Sequence, residues 1–75
     1  MADQVLDTKG LTCPMPVLKA KKALKEMAGG TVLEILATDP AAKEDFEVFC
    51  RTTGNELLEF SQDGDVQKFL IRRSA

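Results

Sequence analysis

The sequence predicts an α+β fold, a two-layer β-α-β-α-β-β sandwich in which two helices cover one face of a four-stranded mixed sheet. Three observations carry this expectation. Two apolar strand-like runs each lead into a segment of helical period, the order of parallel strands joined by right-handed crossovers. The last two strand-like runs meet at Asp63-Gly64-Asp65, a hairpin turn signal. With 75 residues, the chain has room for one small domain, residues 1–75, and a single two-layer core.

Each element has its own signal. Residues 4–8, Gln-Val-Leu-Asp-Thr, read as a short strand bounded by Lys9-Gly10. A helix is expected over 14–28, opening on Pro14, because proline is tolerated where first-turn N–H groups have no intrahelical partner. Gly29-Gly30 closes it. Residues 31–37 form the clearest strand, with Val32, Leu33, Ile35 and Leu36 interrupted only by Glu34. Asp39-Pro40 then supplies an N-cap and a first helical proline for a helix over 40–53, stopped by Gly54-Asn55. Residues 56–62 and 66–72 are the closing strands.

At about 100° per residue, Val17, Ala20, Ala23, Leu24, Met27 and Ala28 fall on one face of the first helix, opposite Lys19, Lys22 and Glu26. Met15 and Leu18 project away from that stripe. They are either scattered exposed apolar side chains of the ordinary kind or, with Lys19 and Lys22, a docking patch. In the second helix, Cys50 shares a face with Ala42, Phe46, Phe49 and Thr53. That places its thiol in the helix–sheet interface, where apolar surroundings raise a cysteine's pKa and make it inert.

Composition narrows the chemistry. Hydrophobic content of 44% and charged content of 29% are those of an ordinary globular chain. A net charge of −2 argues against nucleic-acid binding driven by bulk charge. No apolar run approaches the roughly 20 residues that span a bilayer. The opening Met-Ala-Asp-Gln lacks the basic and apolar regions of a signal peptide, so a cytoplasmic location is expected, with no disulfide. Histidine is absent, which removes the usual general base, a Cys-His pair and most zinc sites. Neither a metal nor a cofactor is expected. With Trp and Tyr also absent, the platforms that stack single-stranded bases are few.

What remains is a thiol. Cys13 lies in Gly10-Leu11-Thr12-Cys13-Pro14-Met15-Pro16, where strand gives way to helix. Free cysteine is commonly just a small buried hydrophobe. Here the helix start, the flanking Pro14 and Pro16, and Gly10 upstream point instead to a reactive role. With Pro14 as first helical residue, Cys13 is the N-cap, and its sulfur faces the positive end of the helix dipole, a setting that lowers a thiol's pKa. A thiolate is therefore expected. Lys19, Lys21, Lys22 and Lys25 form either a solvated face or a basic rim favouring that thiolate. Arg72 and Arg73 are either a soluble end or a partner or RNA contact. Asp7 and Asp39 are expected to fix turns and caps rather than to act as acid-base catalysts, since nothing suggests that the two form a close carboxylate pair with each other.

The run Asp7-x-x-Gly10-Leu11-x-Cys13-Pro14-x-Pro16 resembles the signature of the TusA/SirA-like sulfur-carrier family. Further matches are Thr38-Asp39-Pro40, Asp45, Phe49-Cys50, Glu56-Leu57 and Phe69-Leu70-Ile71-Arg72, so the resemblance spans essentially the whole chain. It implies a fold similar to the C-terminal domain of translation initiation factor three. It also implies that Cys13 carries sulfane sulfur as a persulfide, or a thiosulfonate derived from thiosulfate or tetrathionate. The implied protein is a relay rather than a stand-alone multi-turnover enzyme. Its donor would be a cysteine desulfurase or a rhodanese-like protein, and its acceptor a DsrE-like or other sulfur-accepting protein. The implied settings are tRNA 2-thiouridine formation and sulfur-compound oxidation. A monomer without direct nucleic-acid or membrane contact is expected. The competing readings are a small RNA-binding module, a thiol–disulfide redox protein, for which a Cys-x-x-Cys is lacking, and an adaptor with no thiol chemistry.

Overall fold

Six elements follow one another in the expected order in a computed structural model that describes residues 2–74: β1 (Gln4–Asp7), α1 (Met15–Lys25), β2 (Val32–Ala37), α2 (Ala42–Thr53), β3 (Glu56–Asp63) and β4 (Val66–Arg72). Met1 and Ala75, the ends of the expected domain, lie outside the described residues. The sheet order is β1-β2-β4-β3, with β1 parallel to β2 and the other two pairings antiparallel. Because β1 and β2 are parallel, both run out at the same edge of the sheet. The two segments that lead into the helices therefore meet there.

Alternation in β2 and β4 builds the floor of the core. Leu33, Ile35 and Ala37 of β2, with Phe69 and Ile71 of β4, are buried under the helices, while Glu34, Leu36, Lys68 and Leu70 lie on the open face. The helices contribute Ala20 and Leu24, and Ala42, Phe46, Phe49 and Cys50. Phe46 and Phe60 flank Phe69, with ring centroids 4.8 and 5.2 Å from it. Such aromatic pairs add to stability beyond the area they bury.

Three expectations at the helix ends are corrected. α1 starts at Met15 with Pro14 as its N-cap, one residue later than expected, so Cys13 lies just outside the helix. It ends at Lys25 rather than 28, because the Glu26 and Met27 N–H groups donate to Ala23 and Leu24, three residues back, tightening the last turn. Ala28 is accordingly exposed, while Val17, Ala23 and Met27 are half-buried beside Ala20 and Leu24. α2 starts at Ala42 rather than 40, since Asp39-Pro40-Ala41 forms a separate turn closed by Ala42 N–H on the Asp39 carbonyl (3.0 Å).

The closing hairpin has a feature that simple alternation does not contain. Register jumps between Leu57, opposite Ile71, and Glu59, opposite Leu70, leaving Leu58 as the extra residue of a β-bulge. The bulge turns both Leu57 and Phe60 towards the core and leaves Leu58 exposed.

Candidate functional site: a thiol between two carboxylates

Four hydrogen bonds hang the loop after β1 on the segment after β2. Thr8, fully buried, donates to the Leu36 carbonyl from both its N–H (2.8 Å) and its Oγ1 (2.6 Å). Gly10 N–H donates to Thr38 Oγ1 (2.9 Å), and Cys13 N–H to Asp39 Oδ2 (2.7 Å). Beneath Asp39, the buried Gln67 of β4 donates from Nε2 to the Asp39 carbonyl (2.7 Å), fixing that turn to the sheet. Asp7 closes its own turn by accepting from Lys9 N–H (3.0 Å). That bond, with the Lys9 ammonium, holds its carboxyl below the usual range.

Cys13 is exposed and is a free thiol. Its peptide bond to Pro14 is cis. Asp45, in the first turn of α2, comes from the far side of the cleft, and the Cys13 sulfur and one carboxylate oxygen each of Asp39 and Asp45 lie within 4.8 Å of one another. One soft and two hard donors without a histidine match none of the usual zinc ligand sets, and no residue is assigned as a metal ligand.

The surroundings reverse the expected ionisation of Cys13. Its pKa is raised, by a side-chain hydrogen bond with Asp45, then by partial loss of water, then by the negative charges of Asp45 and Asp39. The physical reason lies in the same prolines that start the helix. Pro14 and Pro16 have no N–H, the Cys13 N–H is taken by Asp39, and the Met15 N–H by the Thr12 carbonyl (2.9 Å). The helix start thus has few amides left for a sulfur anion, and two carboxylates stand next to it. Asp39, expected only to fix a turn, does accept from Ala41 N–H (3.2 Å) but also joins Asp45 in a close carboxylate pair.

A cleft of about 340 Å³ opens beside the thiol, lined by Cys13, Pro14, Val17, Asp45, Val48, Phe49 and Thr52. Pro16 is buried, Leu11 is half-buried, and Gly10 takes φ +84°. Met15 and Leu18 are exposed, at 41% and 51%, as are Lys19 and Lys22, but these four lie on the outer side of α1 and do not line the cleft. Lys21, Lys25 and Arg73 border a second hollow further along the helix pair. Cys50 is buried, and burial pushes its thiol up to about 11. Val48, Thr52 and Asp45 were not singled out as site residues from the sequence. The available signal was the parallel β1–β2 pair, which sets the starts of α1 and α2 side by side.

The family model described as Sulfurtransferase TusA matches residues 4–73. The chain belongs to the TusA family. It is 50% identical over 72 residues to the sulfur carrier protein TusA of Allochromatium vinosum, covering 96% of this chain and 95% of the relative. It is 57% identical over 72 residues to a putative sulfur carrier protein of Neisseria meningitidis serogroup B, covering 96% and 97%. The fold is similar to the crystal structure of a SirA-like protein from Desulfitobacterium hafniense, with a TM-score of 0.83 and 27% identity over 96% of this chain and 99% of that one. The similarity of this TusA-family chain to those relatives thus extends over nearly all of its length.

Proposed function

We propose that this protein is a sulfur carrier in which Cys13 accepts sulfane sulfur from a cysteine desulfurase or rhodanese-like donor and passes it to an acceptor protein. The observation that carries the reading is the exposed free thiol of Cys13 at the mouth of an apolar cleft. Cys50, by contrast, is enclosed by the core. The relationship to curated sulfur carriers supports the same reading.

In the forward step, Cys13 sulfur attacks the outer sulfur of the donor's persulfide. A new S–S bond forms, the donor's own S–S bond breaks, and the departing donor thiolate takes the proton that Cys13 has lost. The products are Cys13-S-SH and a donor thiol, with no net oxidation. In the return step an acceptor thiolate attacks the outer sulfur and Cys13 is restored. No step acts on a carbonyl, so a histidine base is not required. With tetrathionate as donor, the Cys13 sulfur attacks an inner sulfur, the central S–S bond breaks, thiosulfate leaves, and Cys13 carries the thiosulfonate group without any added oxidant. Met15, Leu18, Lys19 and Lys22, exposed on α1 outside the cleft, are the proposed docking surface. The cytoplasm is the proposed setting, in tRNA 2-thiouridine formation or sulfur-compound oxidation, and no helix among the described residues is long and apolar enough to cross a membrane.

Intact-mass measurement after incubation with a cysteine desulfurase and cysteine, or with tetrathionate, tests the proposal. Wild type and C50S gain the sulfur adduct and C13S does not. A C13S protein that still takes up and hands on sulfur overturns the reading.

A further inference from the structure

We propose that Asp45 is a positioning residue that keeps Cys13 a neutral thiol at rest, and that a docking partner releases it by setting a cationic side chain against the Asp39–Asp45 pair. The inference rests on the carrier reading for its purpose but not for its physics. Cys13 is exposed, its sulfur sits within 4.8 Å of both carboxylates, and its own N–H is spent on Asp39. The charges that bear on it are Asp45 from α2 and Asp39 from the turn after β2, both negative. The other cleft walls, Pro14 and Val17 from the α1 side and Val48, Phe49 and Thr52 from α2, carry no charge.

Thiolate, not thiol, is the nucleophile, and oxidation of a cysteine follows its thiolate character and its exposure. An exposed sulfur that was always ionised would react with any small electrophile or oxidant. Here exposure is high and ionisation is held down, so the two are separated until a partner arrives. A lysine or arginine placed on the carboxylate pair cancels the charge that disfavours the sulfur anion. The Cys13 proton then departs as attack begins and ends on the donor's leaving thiolate. The same carboxylates afterwards face the persulfide and disfavour its anion in the free carrier.

The test is the pH profile of alkylation by iodoacetamide, a neutral reagent, read at Cys13 by peptide mass mapping in wild type, D45N and D39N. The wild-type midpoint is expected above that of free cysteine. D45N moves it down and raises the rate at pH 7 several-fold, since one unit is worth about tenfold; D39N moves it less. Hexa-arginine at low salt accelerates wild type and leaves D45N nearly unchanged. A wild-type midpoint at or below that of free cysteine overturns the proposal even if D45N does not fold. So does a D45N profile that superimposes on wild type, and failure of hexa-arginine to accelerate wild type overturns the release. Sulfur loading by intact mass separates the two readings. Loading with unmoved profiles sinks only the restraint, and shifted profiles without loading of wild type sink only the carrier.

Discussion

Gly10 takes φ +84° with nothing within 4 Å of where a Cβ would stand, so its requirement is conformational rather than steric. Left-handed backbone costs an ordinary L-residue roughly 1–2 kcal/mol. G10A should lose about that much stability in urea denaturation, and it should loosen the Gly10 N–H bond to Thr38 that aims the Cys13 loop. The placement of the two cysteines, Cys13 exposed and Cys50 buried, is legible residue by residue because the relevant signals are local: a strand-to-helix junction with two prolines for one, helical phase for the other. The acidity of Cys13 is not. It depends on Asp45, which is near in space only in the folded chain, and on Pro14 and Pro16, which remove amides through which a helix start would stabilise a sulfur anion.

At the scale of elements, the order of helices and strands followed from period and punctuation, while the ends moved where short-range hydrogen bonds compete with helix. Asp39-Pro40 reads as a helix start, but the Asp39 side chain serves Ala41 and Cys13 at once, and the turn it makes delays α2. The β3 bulge was illegible for a different reason. Strict alternation along Glu56-Leu57-Leu58-Glu59-Phe60 sets Leu58 and Phe60 on one face, whereas the bulge separates them. L58T should therefore shift stability by no more than about 0.5 kcal/mol, as for an ordinary surface position. F60A removes a ring packed on Phe69 and under the Lys43 ammonium, and should cost about 2 kcal/mol or more. Equal urea midpoints for the two variants would contradict the observed register.

For the molecule as a whole, the parallel β1–β2 pair is the feature from which both core and site descend. It places the two helices on one face, where Phe46 is fully buried between Phe49 and Phe69, and it brings the starts of α1 and α2 to one edge. The same core also sets how stability responds to alkali. Burial raises the Cys50 thiol to about 11 in the folded protein, against about 8.5 for a free thiol in the unfolded chain. Below both values the thiol is protonated in either state and contributes no pH dependence. Between them the unfolded chain gives up the proton and the folded one keeps it, so unfolding releases a proton and stability falls as pH rises. The Cys13 thiol, also raised, adds to the same trend. All other groups are common to wild type and a Cys50 variant, so the informative quantity is a difference. C50A loses some packing at every pH, but its stability relative to wild type, followed by urea denaturation from pH 7 to 11, should improve steadily above about pH 8.5. A constant difference across that range would mean that water reaches the Cys50 sulfur and that the α2–sheet interface is not sealed.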